Sequence, residues 1–173
     1  LRWTGSWYEA HVGLDLLSVG SPLWGDIPAA VTARLARARR LGHDLRVEVA
    51  RPTPLDVALT ICVGPEYRQG QVRAALLDVL SDRTLSGGRR GLFHPDRLTF
   101  GSGIAMSTLV AAAQAAAGVE LVQVRRLRRL HSLGDEVPAD GVLALGPLEI
   151  PELANDPNDP ERGRLTLELR GGR

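Results

Sequence analysis

PLDVALTICVGPEYRQGQVRAALLDVL, residues 54–80, changes its hydrophobic period halfway along. Leu55, Val57, Leu59, Ile61 and Val63 alternate with Asp56, Ala58, Thr60 and Cys62, the two-residue period of a strand with one buried face. Gly64 and Pro65 interrupt that pattern. From Gln71 the spacing turns helical, and Val72, Ala75, Leu76, Val79 and Leu80 fall in one apolar stripe. A strand leading through a turn into an amphipathic helix is half of a βαβ unit. The stretch carries no recognisable chemistry of its own.

Toward the N-terminus, the segment from Trp3 to Leu17 places Tyr8, Ala10, Val12, Leu14 and Leu16 on one face. Trp7, Glu9, His11, Gly13 and Asp15 fall on the other, which predicts a first strand. Ser18 to Asp26 reads as a loop. Asp26 is the expected N-cap of a helix with Pro28 in its first turn. Ile27, Val31, Leu35, Ala38 and Leu41 form its apolar stripe, Arg34, Arg37 and Arg40 its solvent face, and Gly42 its end. Leu45, Val47 and Val49 mark a second strand. Arg51-Pro52-Thr53-Pro54 reads as a connector, because two prolines remove ladder donors.

Toward the C-terminus, Ser81 to Gly103 is rich in glycine and predicts a long surface loop. A helix over Ser107 to Ala117 turns Leu109, Val110, Ala113 and Ala116 inward. A strand follows over Val119 to Val124, extended by Arg125 to Arg129. His131 to Asp140 reads as a turn region and Val142 to Leu145 as a short strand, while Pro147 to Glu161 holds four prolines and an acidic, Asn-rich turn, NDPNDPE. Leu165, Leu167 and Leu169 alternate in a last strand, and Gly171-Gly172-Arg173 as a frayed end. The element order up to Val124 predicts an α+β protein with a ferredoxin-like split βαβ domain over 1–130. In it an antiparallel sheet carries its helices on one face. Residues 131–173 then form a C-terminal β arm or extension. Trp7, Glu9, His11, Arg46, Glu48, Asp56 and Thr60 are expected on the exposed side of the sheet.

The 173 residues fit one domain, or one domain with an arm. The 21 basic residues are all arginine; they nearly balance 20 acids, for a net charge of +1. No overall field therefore draws the chain to nucleic acid or anionic membrane. The single cysteine, Cys62, excludes a disulfide within the chain and a cysteine-based metal site. Its place in the strand pattern reads as a small buried hydrophobe. No apolar run reaches membrane-spanning length and no signal peptide is evident. The opening Leu1-Arg2-Trp3, without an initiator Met, suggests a piece of a longer polypeptide.

Four histidines, His11, His43, His94 and His131, lack a second ligand at metal-binding spacing. His94-Pro95-Asp96 is the one histidine–carboxylate neighbourhood, and it has no nucleophile beside it. Asn155 to Glu161, NDPNDPE, offers oxygen ligands, but Pro160 stands at the third ligand position of an EF-hand, so it reads as an Asx–Pro turn. Gly101-Ser102-Gly103 precedes a helix without the third glycine of a dinucleotide fingerprint or the Gly-Lys of a P-loop. The dense basic run Arg125, Arg126, Arg128 and Arg129, with Arg89 and Arg90 in the preceding loop, lacks the interleaved aromatics of a nucleic-acid platform. Contacts to an acidic partner protein, or a solvated strand end, suit it better. Trp3, Trp7 and Trp24 crowd the start of a chain otherwise poor in aromatics. Trp7 opposes the apolar stripe, the position for burial against another domain or subunit. The candidate interface residues are thus Trp3, Trp7, Arg89, Arg90, Arg125, Arg126, Arg128 and Arg129; no catalytic, cofactor-binding or metal-ligating residue is assigned.

Four stretches carry a family resemblance: RWTGSWYEAHVGLD, ARARRLGHDLRVEVARPTPLDVALTICV, FHPDRLTFGSGIAMSTLVAAAQAAAGVELVQV and VLALGPLEIPELANDPNDPERGRLTLELRGG. Together they resemble the C-terminal part of baseplate J-like proteins, wedge components of contractile phage tails and related contractile injection systems. Ser102 and Ala105 depart from the family pattern, which more often has a bulkier or charged residue after the glycine and an aromatic nearby. The resemblance implies a structural, non-enzymatic role with no cofactor. It further implies partners among other wedge subunits and hub or sheath proteins of a multi-subunit complex, with no nucleic acid and no membrane span. The location implied is a phage tail-like particle or virion baseplate, assembled in the bacterial cytoplasm. Two other readings stand beside it. One is a ferredoxin-like small-ligand-binding regulatory module using Gly101 to Gly103. The other is an enzyme fragment using His94 and Asp96.

Overall fold

The alternation and the helical stripes described above produce an α+β architecture. The computed structural model describes residues 1–15, 26–134 and 136–173, and these group into two compact units, Leu1–Arg51 and Pro52–Arg173. Leu16, the Ser18–Gly25 part of the first loop and Trp24 lie outside the described residues.

In the first unit, β1 (Arg2–Trp3) and β2 (Tyr8–Leu14) form an antiparallel hairpin that sets Trp3 opposite Tyr8. Thr4 closes its turn, its N–H and its Oγ1 both donating to the Trp7 carbonyl at 2.9 Å. Helix α1 (Ile27–Ala36) crosses to β3 (His43–Val49), which runs parallel to β2 with Tyr8 beside His43 and Leu14 beside Val49. This is a βαβ unit, and parallel neighbours require such a crossover. Asp26 stands at the N-cap of α1 without a side-chain capping bond, and Pro28 occupies the first turn as its fixed φ allows. The helix ends at Ala36; Arg37 to Leu41 continue as a turn, and Leu41 of the expected stripe is fully exposed. Ile27, Val31, Leu35, Leu45, Val47 and Val49 are only half-buried. Ala50 alone is buried among the described residues of this unit.

The second unit is built on β4 (Arg51–Val63). Pro52 and Pro54, expected in a connector, belong to the strand. The Pro54 carbonyl still accepts from Leu130 N at 2.8 Å, so Pro54 costs the ladder a donor and not an acceptor. β4 pairs antiparallel with β6 (Val119–Arg129) on one edge. On the other it pairs parallel with β9 (Arg164–Gly171), and β8 (Glu149–Glu152) also bonds to it. A two-stranded sheet of β5 (Ile104–Ala105) and β7 (Val142–Leu143) lies beside these. Leu55, Val57, Leu59, Ile61 and Val63 are all buried. They form one core with Val72 and Leu76 of α2 (Gln69–Val79), Leu109 and Ala113 of α3 (Met106–Gln114), and Phe93. Arg73 ties α2 to β9 by donating to the Leu167 carbonyl at 3.1 Å.

One expectation is corrected by these pairings. The ferredoxin-like order requires one four-stranded sheet, whereas β2 and β3 lie in a separate sheet from β4 and β6. Only Ala50 separates β3 from β4, fewer residues than the tightest common hairpin loop needs. In the C-terminal segment, β9 adds to the edge of β4 in register from Asp56↔Arg164 to Val63↔Gly171. The proline-rich Pro147–Glu161 segment, for which the sequence predicts no strand, contains β8 ahead of its acidic turn, with Pro151 inside it.

Candidate interaction surfaces

The face of β4 turned away from the helices carries Asp56, Ala58, Thr60 and Cys62, flanked by arginines from both neighbours. The register places Arg128 and Arg164 on either side of Asp56, and Arg126 beside Ala58. A register shift between Ala58 and Leu59 leaves Arg125 as the extra residue of a β-bulge. Asp56 was expected at the surface, but its side chain is entirely buried. It is roofed by Arg164 Nη2 at 3.1 Å, Arg126 Nη1 at 3.3 Å and Arg128 Nη2 at 3.4 Å. Burial alone would push its carboxyl up; hydrogen bonds and charge from Arg164, then Arg126, outweigh this and hold it below its ordinary value. Glu136 bridges the outer side, accepting from Arg126 Nε and lying 3.2 Å from Arg128 Nη1.

The rest of the arginine run is also engaged. Arg125 Nε donates to Thr60 Oγ1 at 3.3 Å, and Thr60 in turn donates to Glu168 Oε2 at 3.2 Å. Arg170 bonds the other oxygen of Glu168 at 2.7 Å and helps to hold that carboxyl below its ordinary value. Arg129 reaches Glu149 Oε2 at 2.6 Å and the Ala144 carbonyl at 3.2 Å. The run thus binds β6, β4 and β9 together with the 130s and 140s segments. Glu136 and Glu149 lie 10 and 20 residues from Arg126 and Arg129, but Asp56 lies 70 residues from Arg126, so no local spacing could reveal it. Cys62, expected in the core, is half-buried on this polar face.

The aromatic residues of the first unit have a different setting. Trp3, Trp7 and Tyr8 are 56%, 55% and 47% exposed. The Trp3 and Tyr8 rings meet at 5.0 Å, Tyr8 stacks on His43 at 5.7 Å, and Trp7 lies over Gly42. Leu41 and the turn after α1 adjoin this cluster. Arg37 and Arg40 are exposed there, whereas Arg39 is paired with Asp44 at 3.3 Å. On the polar face of the sheet His11 sits 2.6 Å from Glu9, and Arg46 lies 3.2 Å from Glu48.

The remaining sequence candidates have local roles. His94 caps the 3₁₀ turn Pro95–Arg97, its Nδ1 accepting from Asp96 N at 3.1 Å, while its Nε2 meets Thr84 Oγ1 at 3.0 Å. Gly103 lies so close to β7 that a Cβ would come within 2.8 Å of the Leu143 carbonyl, and Gly101 has a φ of +67°. Those two glycines serve backbone approach. In the NDPNDPE segment Asp156 Oδ1 accepts from Asn158 N at 2.8 Å, the expected Asx turn, and Asn155 Oδ1 accepts from Leu165 N at 2.9 Å. Among the described residues no three His, Cys, Asp or Glu side chains gather to hold a metal ion, and no helix is long and apolar enough to cross a membrane.

No protein-family model and no curated protein matches the sequence. Among solved structures, a chain of the anti-feeding prophage (AFP) baseplate, determined by electron cryomicroscopy, is similar at 16% identity with a TM-score of 0.43. The match covers 91% of this chain, which spans about a third (35%) of that one. A likeness at this level assigns neither fold nor function.

Proposed function

We propose that the chain is a structural component of a contractile-tail or contractile-injection baseplate, in its wedge, and that it acts by protein–protein assembly rather than catalysis. The observation that carries an assembly role is the exposed Trp3–Trp7–Tyr8 cluster on a unit whose described residues bury almost no side chain. Aromatic anchors bordered by arginine are the composition of interface centres, and a small unit gains the burial it lacks when a partner covers it. The four sequence stretches that resemble baseplate J-like proteins supply the identity of the assembly. The wedge, hub or sheath partners follow from that resemblance, as does a place in the baseplate of a tail-like particle. Of the candidate interface residues, Trp3 and Trp7 are the ones this reading depends on; Arg126, Arg128 and Arg129 act mainly in holding the second unit together.

Size-exclusion chromatography and pull-down with the other baseplate proteins test the reading. The whole chain should co-elute with at least one of them, and Trp3→Ala/Trp7→Ala should abolish this without lowering the melting temperature. A chain that stays monomeric beside all of them at micromolar concentration would sink it.

A further inference from the structure

The 81–97 loop is far more constrained than its glycine content suggests. Leu92 N donates to the Val79 carbonyl at 2.7 Å, Phe93 N to Ser81 O at 3.1 Å and Gly91 N to Arg83 O at 3.0 Å. A Cβ at Gly91 would collide with the Ser81 carbonyl, so glycine is required for this close approach. Phe93 is buried in the core and His94 is tied to Thr84, which fixes both ends of the loop over the end of α2. The loop is thereby held as one wall of a groove of about 650 Å³, whose other walls are α2 and α3.

The floor of that groove is apolar: Val79, Leu85 and Ala112 are half-buried, and Ala115 is exposed. Its rim is Arg89, Arg90 and Arg97. Arg90 is 2.9 Å from Asp96 and Arg97 donates to the Arg90 carbonyl, but the Arg89 guanidinium has no partner among the described residues; only its backbone carbonyl is bonded, by Leu85 N. Across the loop, four arginines meet two aspartates, Asp82 and Asp96. An apolar trough whose positive rim is not neutralised complements one kind of segment. That segment has leucine-like side chains on one face and carboxylates on its flanks. The small Ala112 and Ala115 leave room for a helix backbone to approach α3.

We propose that this groove receives an acidic amphipathic helix from a partner protein. The proposal rests on the assembly reading above and adds the chemistry of the partner. The test uses the whole chain and a fluorescent synthetic helix of about five turns, with leucines on one face and glutamates on the other. Anisotropy titration at low salt should give saturable binding with a Kd on the order of tens of micromolar. Arg89→Glu should weaken it about tenfold, Ala115→Trp should fill the groove and remove it, and added salt should weaken it. Both positions are exposed, so each variant should keep the parent melting temperature. Arg89→Ala, which adds no charge, should show a smaller loss.

A helix with lysine in place of glutamate should not bind, and single-stranded DNA should not compete. Absence of saturable binding overturns the proposal. So does binding unchanged by both Arg89→Glu and Ala115→Trp, or preferred binding of DNA. The probe is independent of baseplate pull-down. A chain that binds the peptide but ignores every baseplate protein keeps the groove and loses the assembly reading; the opposite pattern does the reverse.

Discussion

β3 and β4 follow one another with a single residue between them, yet their fates differ. All five inward side chains of β4 from Leu55 to Val63 are buried, whereas none of β3 is. Both strands have the same alternating pattern. The difference lies in what covers them: β4 is roofed by α2, α3 and Phe93, and β3 by the short α1. Amphipathic patterning decides which face seeks burial, but the amount of chain available to cover it decides how much stability results. The second unit holds a well-buried core, whereas among the described residues of the first only Ala50 is buried.

That contrast can be broken most sharply in the core. Leu76→Ala removes a wholly buried side chain and should cost about 3 kcal/mol, lowering the melting temperature by about 10 °C. Val47→Ala in β3, half-buried at the outset, should cost under about 1 kcal/mol. Equal losses in denaturant titrations of the two variants would contradict the comparison.

Next comes Asp56→Asn, which leaves Arg126, Arg128 and Arg164 crowded around a neutral amide and should cost about 2–3 kcal/mol. Because the folded-state pKa of Asp56 lies below its ordinary value of 3.8, its contribution is complete above that pH. It is lost as the pH falls through the lower, folded value. The parent should therefore lose stability in that acid range more steeply than Asp56→Asn, as read by urea midpoints across pH 2 to about 6. Parallel pH profiles would show that the arginine roof does not depend on the carboxylate. The smallest effect on stability belongs to Trp7→Ala, within about 0.5 kcal/mol for a surface side chain. Its consequence should instead appear as lost co-elution with baseplate proteins.

The local reading of the sequence was strong where period alone decides. The Leu55–Val63 alternation, the Val72–Leu80 stripe and the Leu165–Leu169 alternation all correspond to elements with those faces buried or half-buried. Pairing was less legible. Element order is compatible with several sheets, and the choice turned on Pro52 and Pro54, which continue β4 where a connector was expected. With no turn between β3 and β4, the split βαβ sheet could not close. β8 is hidden in the sequence because Pro151 argues against a strand and only its pairing with β4 overrides that.

At the surfaces, the exposed tryptophans were visible as an excess of aromatics at one end of the chain. The roles of the arginines were not. Arg126 and Arg128 look like a free basic run until the fold brings in Asp56 from 70 residues away and Arg164 from the last strand. Arg97 gave no signal as a groove residue, since only the folded 81–97 loop places it beside Arg89 and Arg90.

Amide hydrogen exchange on the whole chain, alone and bound to a protein that co-elutes with it, tests most directly the claim that a partner completes the first unit. Alone, amides of Tyr8–Leu14 and His43–Val49 should exchange orders of magnitude faster than those of Leu55–Val63, and assembly should slow them markedly while leaving Leu55–Val63 nearly unchanged. First-unit amides as protected as those of β4 in the isolated chain, or unaltered by assembly, would contradict the account.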